Sequence, residues 1–107
     1  MQKQMTIPEY TEAVKNLLPL AQGDTGGSRI AAMVLLSAYN GREFPLDITE
    51  LCGLDLDHYF DAMIVIRGRV ELQTEPQTLI KDGSRIFESL WQNWKGYHIS
   101  KRWQLYE

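Results

Sequence analysis

Cysteine and histidine are scarce in this 107-residue sequence, which has one cysteine and two histidines. With Cys52 alone, an intramolecular disulfide is excluded, and a reducing compartment is indicated. The first residues lack the apolar core of a signal peptide. The longest apolar run, Ile30 to Leu36, is far below the roughly 20 residues that a membrane span needs. These absences predict a cytoplasmic protein that does not insert into a membrane.

An excess of positive charge is also missing, because 11 Lys and Arg residues stand against 14 Asp and Glu residues. The acids concentrate in one stretch, as Glu43, Asp47, Glu50, Asp55, Asp57 and Asp61. Nucleic-acid-binding proteins usually carry a basic face, so this balance disfavours a nucleic-acid partner. A surface of both signs suits a protein partner better.

The remaining composition, 44% apolar and 23% charged, is typical of one globular domain. Helical spacing runs through most of the chain. Thr6 and Glu9 form a capping box for a first helix, and Pro19 predicts that this helix ends or kinks near Leu18. The segment Ile30–Tyr39 is apolar on nearly every side, which predicts a central helix.

The second central element is predicted over residues 55–72, after a short helical turn capped by Asp47. Its helical stripe consists of Leu56, Tyr59, Phe60, Met63, Ile66 and Val70. Alternation over residues 64–72 also fits a short strand, and the stripe favours helix. A last helix carries Phe87, Leu90, Trp91 and Trp94 on one face. The fold prediction is a mainly α, compact single-domain bundle of four to five helices over residues 1–96, with an aromatic and basic tail over residues 97–107.

The seven residues Gly23-Asp24-Thr25-Gly26-Gly27-Ser28-Arg29 raise the question of catalysis. The triplet Asp24-Thr25-Gly26 occurs in aspartic proteases, but those need an all-β scaffold, and helical patterns flank it here. A phosphate-binding loop would need a preceding strand and a Gly-Lys-Ser/Thr ending. We interpret the heptad as the start of a helix, whose first turn is capped by Asp24 or Thr25. The two glycines allow a tight turn and a close approach to another helix. Arg29 reaches an acid on a neighbouring element.

Three other features bear on function. Asp57, His58 and Asp61 share a helix start and form an incomplete metal set, so we predict no metal or other cofactor. Cys52 is interpreted as a buried thiol, because no base accompanies it. The short helix, glycine turn and longer helix over residues 47–69 have the outline of a helix-turn-helix, but acids occupy the start of the second helix, which would enter the groove of DNA.

The tail is dense in aromatic and basic residues, and little core remains to receive them. Lys101, Arg102, Trp103 and Tyr106 therefore form one candidate partner-binding set. The acidic surface of Asp57 and Asp61 forms a second. The alternative that the tail folds back over the domain stays open.

The segments "LAQGDTGGSR", "FPLDITELCGLD", "AMIVIRG" and "IFESLWQNW" together resemble a family of small uncharacterised proteobacterial proteins, often encoded on plasmids, integrative elements and phages. The resemblance covers residues 17–94. It implies a helical fold and a mobile-element setting, and it transfers no catalytic residue.

The leading hypothesis is thus a non-enzymatic protein-interaction module of mobile-element origin that docks on a host or element protein, for example one of a defence system. A homo-oligomer is compatible with the sequence. The first alternative is a nucleic-acid-associated regulator that uses Arg67, Arg69, Lys101 and Arg102. The second is an anion-binding protein or enzyme that uses the Asp24–Arg29 turn.

Overall fold

Four α-helices account for most of residues 3–101, the part of the chain that the computed structural model describes. They are α1 (Ile7–Ala21), α2 (Gly26–Asn40), α3 (Leu56–Glu71) and α4 (Gly83–Trp94), with short 3-10 helices η1 (Ile48–Gly53), η2 (Pro76–Leu79) and η3 (Lys95–Tyr97) between and after them. The predicted mainly α fold is confirmed. The strand considered for residues 64–72 is wrong, because α3 continues through that segment and no strand occurs within residues 3–101.

Helix α1 begins after Thr6, the cap that the sequence indicates, but the Glu9 carboxylate meets the Thr6 hydroxyl and not its backbone amide, as the predicted capping box would require. The Thr6 hydroxyl accepts from the Glu9 amide at 3.3 Å and donates to the Glu9 carboxylate at 2.9 Å. Of the two outcomes predicted near Leu18, an end or a kink, the end is wrong, since the helix continues through Pro19 to Ala21. In the last turn a proline removes only one hydrogen bond, and the buried side chains of Leu18 and Ala21 hold that turn against the core.

Helix α2 is the centre of the molecule, as its apolar sequence predicts. It packs against α1, α3 and α4. Every residue from Ile30 to Leu36 is buried. This helix is apolar around its circumference because neighbours cover it from several sides. Within residues 3–101, none of the helices combines the length and the apolar character that a bilayer crossing demands.

Helix α3 packs against α1 and α2 through small side chains. Ala62, Val65 and Gly68 are its buried residues. A Cβ added at Gly68 would lie 2.3 Å from the Tyr10 ring, so only glycine permits this close approach. The Tyr10 hydroxyl donates to the Thr74 carbonyl at 2.8 Å, which joins α1 to the segment after α3.

The predicted apolar stripe of α3 is only partly buried, because Tyr59, Met63 and Ile66 are half-buried against the edge of the core and the rest of the stripe is exposed, so the expectation that α3 shares the centre with α2 needs correction. Leu56 and Val70 are 65% and 69% exposed, and Phe60 is 54% exposed. The helix has two apolar faces. The face with the small residues packs closely against α1 and α2, and the bulky stripe lies on the other face. Periodicity identified the helix but not the face that packs.

Helix α4 completes the core with an aromatic cluster. Phe87 and Leu90 are buried, and Trp91 meets Phe44 edge-on with ring centroids 4.7 Å apart. The Trp94 indole donates to the Ala21 carbonyl at 3.1 Å. The segment after α4 stays on this surface, because the Ile99 amide donates to the Glu43 carbonyl at 2.7 Å.

Candidate functional site

The first wall of the candidate site is η1, which a short capped turn fixes in place. The Asp47 carboxylate accepts from the Thr49 amide at 3.0 Å and from its hydroxyl at 2.7 Å. Leu51 is buried and packs into the core. On the other side of the turn Ile48 remains 71% exposed. A six-residue turn has only one inward side, so it cannot bury all of its apolar residues.

An ion pair ties η1 to the start of α2. The Arg29 guanidinium pairs with the Glu50 carboxylate, and both side chains are half-buried. The same guanidinium lies 5.5 Å from the centre of the Tyr97 ring. These contacts orient η1 and leave its opposite side, with Ile48 and Cys52, turned toward α3.

The second wall is the exposed stripe of α3. Because Ala62, Val65 and Gly68 face the core, the bulky stripe lies on another side of the helix, where it is half-buried along its middle and exposed at Leu56 and Val70. Between the two walls lies a groove of about 840 Å³, lined almost entirely by apolar side chains: Ile48, Thr49, Leu51, Cys52, Leu54, Leu56, Tyr59, Met63 and Ile66. We call this the α3 groove.

The α3 groove continues toward the end of the helix. A smaller cavity of about 220 Å³ shares Ile48 and Ile66 with it and extends to Leu46, Arg69 and Val70. From Leu56 to Val70 the helix rises about 21 Å, at about 1.5 Å per residue. An apolar strip of this length that stays open on a folded chain is typical of an interaction surface.

Charged side chains lie near both ends of the α3 groove. Asp55 is the N-cap residue just before α3. Asp47 adjoins Ile48, which lines the smaller cavity together with Arg69 near the end of α3. The Arg69 Nε donates to the Ala38 carbonyl at 3.0 Å. An acid therefore lies near each end of the groove, and a base accompanies the one near the end of α3.

Asp57 and Asp61 do not belong to the α3 groove. Asp61 faces α1, where its carboxylate accepts from the Asn16 amide at 3.3 Å, and burial raises its pKa. Asp57 is one turn earlier on the same row of α3 and is exposed. The His58 ring pairs with Asp55 and not with either of them. Within residues 3–101, no group of three His, Cys, Asp or Glu side chains could hold a metal ion.

The heptad forms the start of α2. Thr25 is its N-cap: the Thr25 hydroxyl accepts from the Ser28 amide at 3.1 Å and lies 2.9 Å from the Ser28 hydroxyl, which is buried. Asp24 is exposed. The expectation that the two glycines permit a close approach is wrong. A Cβ at Gly26 would meet nothing within 4 Å, and one at Gly27 would make only ordinary contacts.

Of the predicted tail set only Lys101 lies within the described residues, and it is exposed. Arg102, Trp103 and Tyr106 lie outside them, so this set stays a prediction, as does the division at residues 96 and 97. Before Lys101, the half-buried His98 ring lies 3.1 Å from the Glu43 carboxylate and packs against Phe44. The His98 ring is therefore held against the domain by Glu43 and Phe44.

The expected burial of Cys52 is also wrong. Its thiol is exposed and donates to the Thr49 carbonyl at 3.0 Å. It lies in η1, where only Leu51 is fully turned inward. Cys52 is thus part of the lining of the α3 groove.

Arg67 and Arg69, the arginines of the helix-turn-helix alternative, already form hydrogen bonds within the chain. Arg67 donates to the Glu71 carboxylate at 2.6 and 3.0 Å and to the Lys3 carbonyl at 2.7 Å, while Arg69 is held by Ala38. Contacts to phosphates or bases would have to displace these bonds. The first segment of the motif is the single 3-10 turn η1, with no α-helix to cross a DNA backbone.

Sequence analysis alone did not identify Ile48 and Leu46 as site residues. A signal for Ile48 was present: the stretch "DITELCGLDL" places four apolar residues in and beside a turn that can bury only some of them. No comparable pattern in the sequence indicated that part of the stripe on α3 stays exposed to solvent, because this exposure depends on which face of α3 is covered by α1 and α2.

Comparison with known proteins identifies one family. A family of unknown function, DUF7673, matches residues 11–95. This range includes both walls of the α3 groove and ends before the tail. No curated protein and no solved structure matches the chain. Because the match covers most of the sequence, the chain belongs to the DUF7673 family.

Proposed function

We propose that this protein is a non-enzymatic protein-interaction module and that the α3 groove is its binding surface. The observation that supports this proposal most strongly is that Ile48, Leu56 and Val70 are exposed along one continuous apolar strip. Covering such side chains removes apolar surface from water, which is the main driving force of protein association. The groove lies within the residues that match the family, so binding through it would be a property of the domain itself.

The tail set and the acidic pair remain rival surfaces for the same function. The cytoplasmic location belongs to this proposal as an expectation from the composition. The proteobacterial and mobile-element setting and the action on a host protein belong to it as expectations from the resemblance. A nucleic-acid partner is less well supported, because α3 begins with Asp55 and Asp57.

Peptide display on the full chain tests the proposal without knowledge of the partner. A library of random 16-residue peptides is selected on the immobilised protein, and the enriched peptides are measured against variants of each surface. We expect Leu56→Glu and Ile48→Glu to weaken binding at least tenfold, since each places a charge in the apolar strip.

The matched controls alter the rival surfaces. Asp57→Asn with Asp61→Asn, and Trp103→Ala with Tyr106→Ala, should each change the affinity less than twofold. If the tail pair or the acidic pair abolished binding and the groove variants did not, the α3 groove would not be the binding surface.

A further inference from the structure

We infer that the Asn40–Gly41 pair is a site of spontaneous modification, where Glu43 restrains deamidation and where conversion of Asn40 to a carboxylate releases the segment after α4. This inference is independent of the proposed function. Three observations carry it: the Asn-Gly pair at the end of α2, the two hydrogen bonds between Asn40 and Glu43, and the contacts of Glu43 with residues 98 and 99.

The chemistry follows from the residue pair, which occurs once in the sequence. The deprotonated backbone nitrogen of Gly41 attacks the Asn40 Cγ atom, and glycine has no Cβ to hinder this approach. The new carbon–nitrogen bond closes a succinimide ring, and the side-chain nitrogen leaves as ammonia with the proton of the glycine amide. Solvent water then opens the ring at either carbonyl, which gives aspartate or isoaspartate. The net reaction consumes one water, releases one ammonia and creates a carboxylate.

The fold holds the Asn40 side chain away from this reaction. Asn40 is the last residue of α2, and Gly41 has helical backbone angles (φ −69°, ψ −19°). The Asn40 Nδ2 donates to the Glu43 carboxylate at 2.7 Å, and the Asn40 Oδ1 accepts from the Glu43 amide at 3.3 Å. Ring closure requires Cγ to turn toward the Gly41 nitrogen, which breaks both bonds. The reaction therefore proceeds from a locally opened form of this turn, and Glu43 limits how often that form occurs.

Conversion of Asn40 acts on the segment after α4 through Glu43. The His98 Nε2 lies 3.1 Å from the Glu43 carboxylate, and the Ile99 amide donates to the Glu43 carbonyl at 2.7 Å. A carboxylate at residue 40 removes the donor to Glu43 and places two negative charges in contact. Isoaspartate also lengthens the backbone by one carbon, which shifts the Glu43 carbonyl. Both changes weaken the contacts that hold residues 98 and 99 to the domain.

The first measurement is the rate of deamidation of the full chain at mildly alkaline pH. Intact mass follows the exchange of the amide, and peptide mapping distinguishes aspartate from isoaspartate at residue 40. We expect the folded chain to react at least tenfold more slowly than the chain unfolded in urea, because only the opened turn reacts. In urea, Gly41→Ala should suppress most of the mass increase, which assigns it to this pair.

Variants of Glu43 test the restraint in the folded chain. Glu43→Ala removes the acceptor for the Asn40 Nδ2 and should raise the rate at least threefold. Glu43→Gln keeps an uncharged acceptor and should raise it less. Glu88→Ala is the matched control, because Glu88 lines the same surface cavity as Asn40 and Glu43 but accepts from Gln92 instead. It removes a nearby negative charge and should change the rate less than twofold.

Hydrogen exchange of the Ile99 amide tests the release of the segment. In the purified deamidated chain this amide should exchange at least fivefold faster than in the unmodified chain. The Trp94 indole, which donates to the Ala21 carbonyl at 3.1 Å, should keep its exchange rate. Asn40→Asp introduces the charge without the longer backbone and should produce part of the effect.

Each of three results would overturn the inference and leave the proposed function in place. The first is a folded chain that deamidates as fast as the unfolded chain. The second is a Glu43→Ala rate no higher than that of Glu88→Ala; if Glu43→Ala did not fold, the comparison of Glu43→Gln with Glu88→Ala decides instead. The third is unchanged exchange of the Ile99 amide in the deamidated chain.

Discussion

Single residues decide how closely the helices of this protein approach one another. Gly68 allows the Tyr10 ring to lie on the backbone of α3, whereas Gly26 at the start of α2 has open space around it. Neither has the left-handed backbone that favours glycine. Their substitutions should therefore have opposite signs, although both glycines lie in helices.

Gly68→Ala should lower the free energy of unfolding by about 2 kcal/mol or more, since overpacking at a rigid contact forces the ring and helix apart. Gly26→Ala should raise it by about 0.5 kcal/mol, because alanine reduces the conformational entropy of the unfolded chain without strain. Urea denaturation of the two variants measures both. Equal effects of the two substitutions would contradict the close contact between Tyr10 and α3.

The half-buried Asp61 carboxylate gives a pH-dependent prediction. Burial raises its pKa above the ordinary value of 3.8, so the folded chain binds this proton more tightly than the unfolded chain does. The contribution of Asp61 to the free energy of unfolding therefore falls as the pH rises from its pKa in the unfolded chain to its pKa in the folded chain. At pH 7, above both values, the charged carboxylate is destabilising.

Asp61→Asn should consequently stabilise the fold at pH 7, and this gain should disappear as the pH approaches 3.8. Thermal unfolding across this pH range measures it, with Glu88→Gln on the exposed side of α4 as a control for the loss of one negative charge. A gain from Asp61→Asn that is the same at every pH would contradict the assigned cause.

At the scale of elements, the start of α2 depends on one hydroxyl. Thr25→Ala removes the acceptor for the Ser28 amide and a partner of the buried Ser28 hydroxyl. We expect a loss of about 1 kcal/mol in the free energy of unfolding. Thr25→Ser keeps the hydroxyl and should lose much less, so equal losses in the two variants, measured by urea denaturation, would show that the cap is not the cause.

The elements also show how far the sequence predicts this structure. Composition and spacing were sufficient for α2, because a helix that is apolar on all sides can only be central. They were sufficient to distinguish α3 from a strand, but not to select its buried face, which depends on the small residues Ala62 and Gly68 meeting α1 and α2. The α3 groove could not be predicted for the same reason: it stays open only because α1 and α2 cover a different face of α3.

At the scale of the whole molecule, the residues that hold the fold are distinct from those that we propose to bind a partner. Leu56→Glu and Val70→Lys change exposed side chains, so each should alter the free energy of unfolding by less than about 0.5 kcal/mol. Leu36→Ala in the core of α2 should cost roughly 2–5 kcal/mol. Urea denaturation compares the three, and a large loss from Leu56→Glu would mean that this residue belongs to the core.

The most direct measurement is a map of backbone amide chemical shifts on the full chain during titration with a peptide from the display selection whose binding depends on Leu56. We predict changes that concentrate in η1 and along the stripe of α3, from Leu56 to Val70. Changes confined to the Asp24–Arg29 turn, to the row of Asp57 and Asp61, or to residues 97–107 would contradict the central claim that the α3 groove is the binding surface.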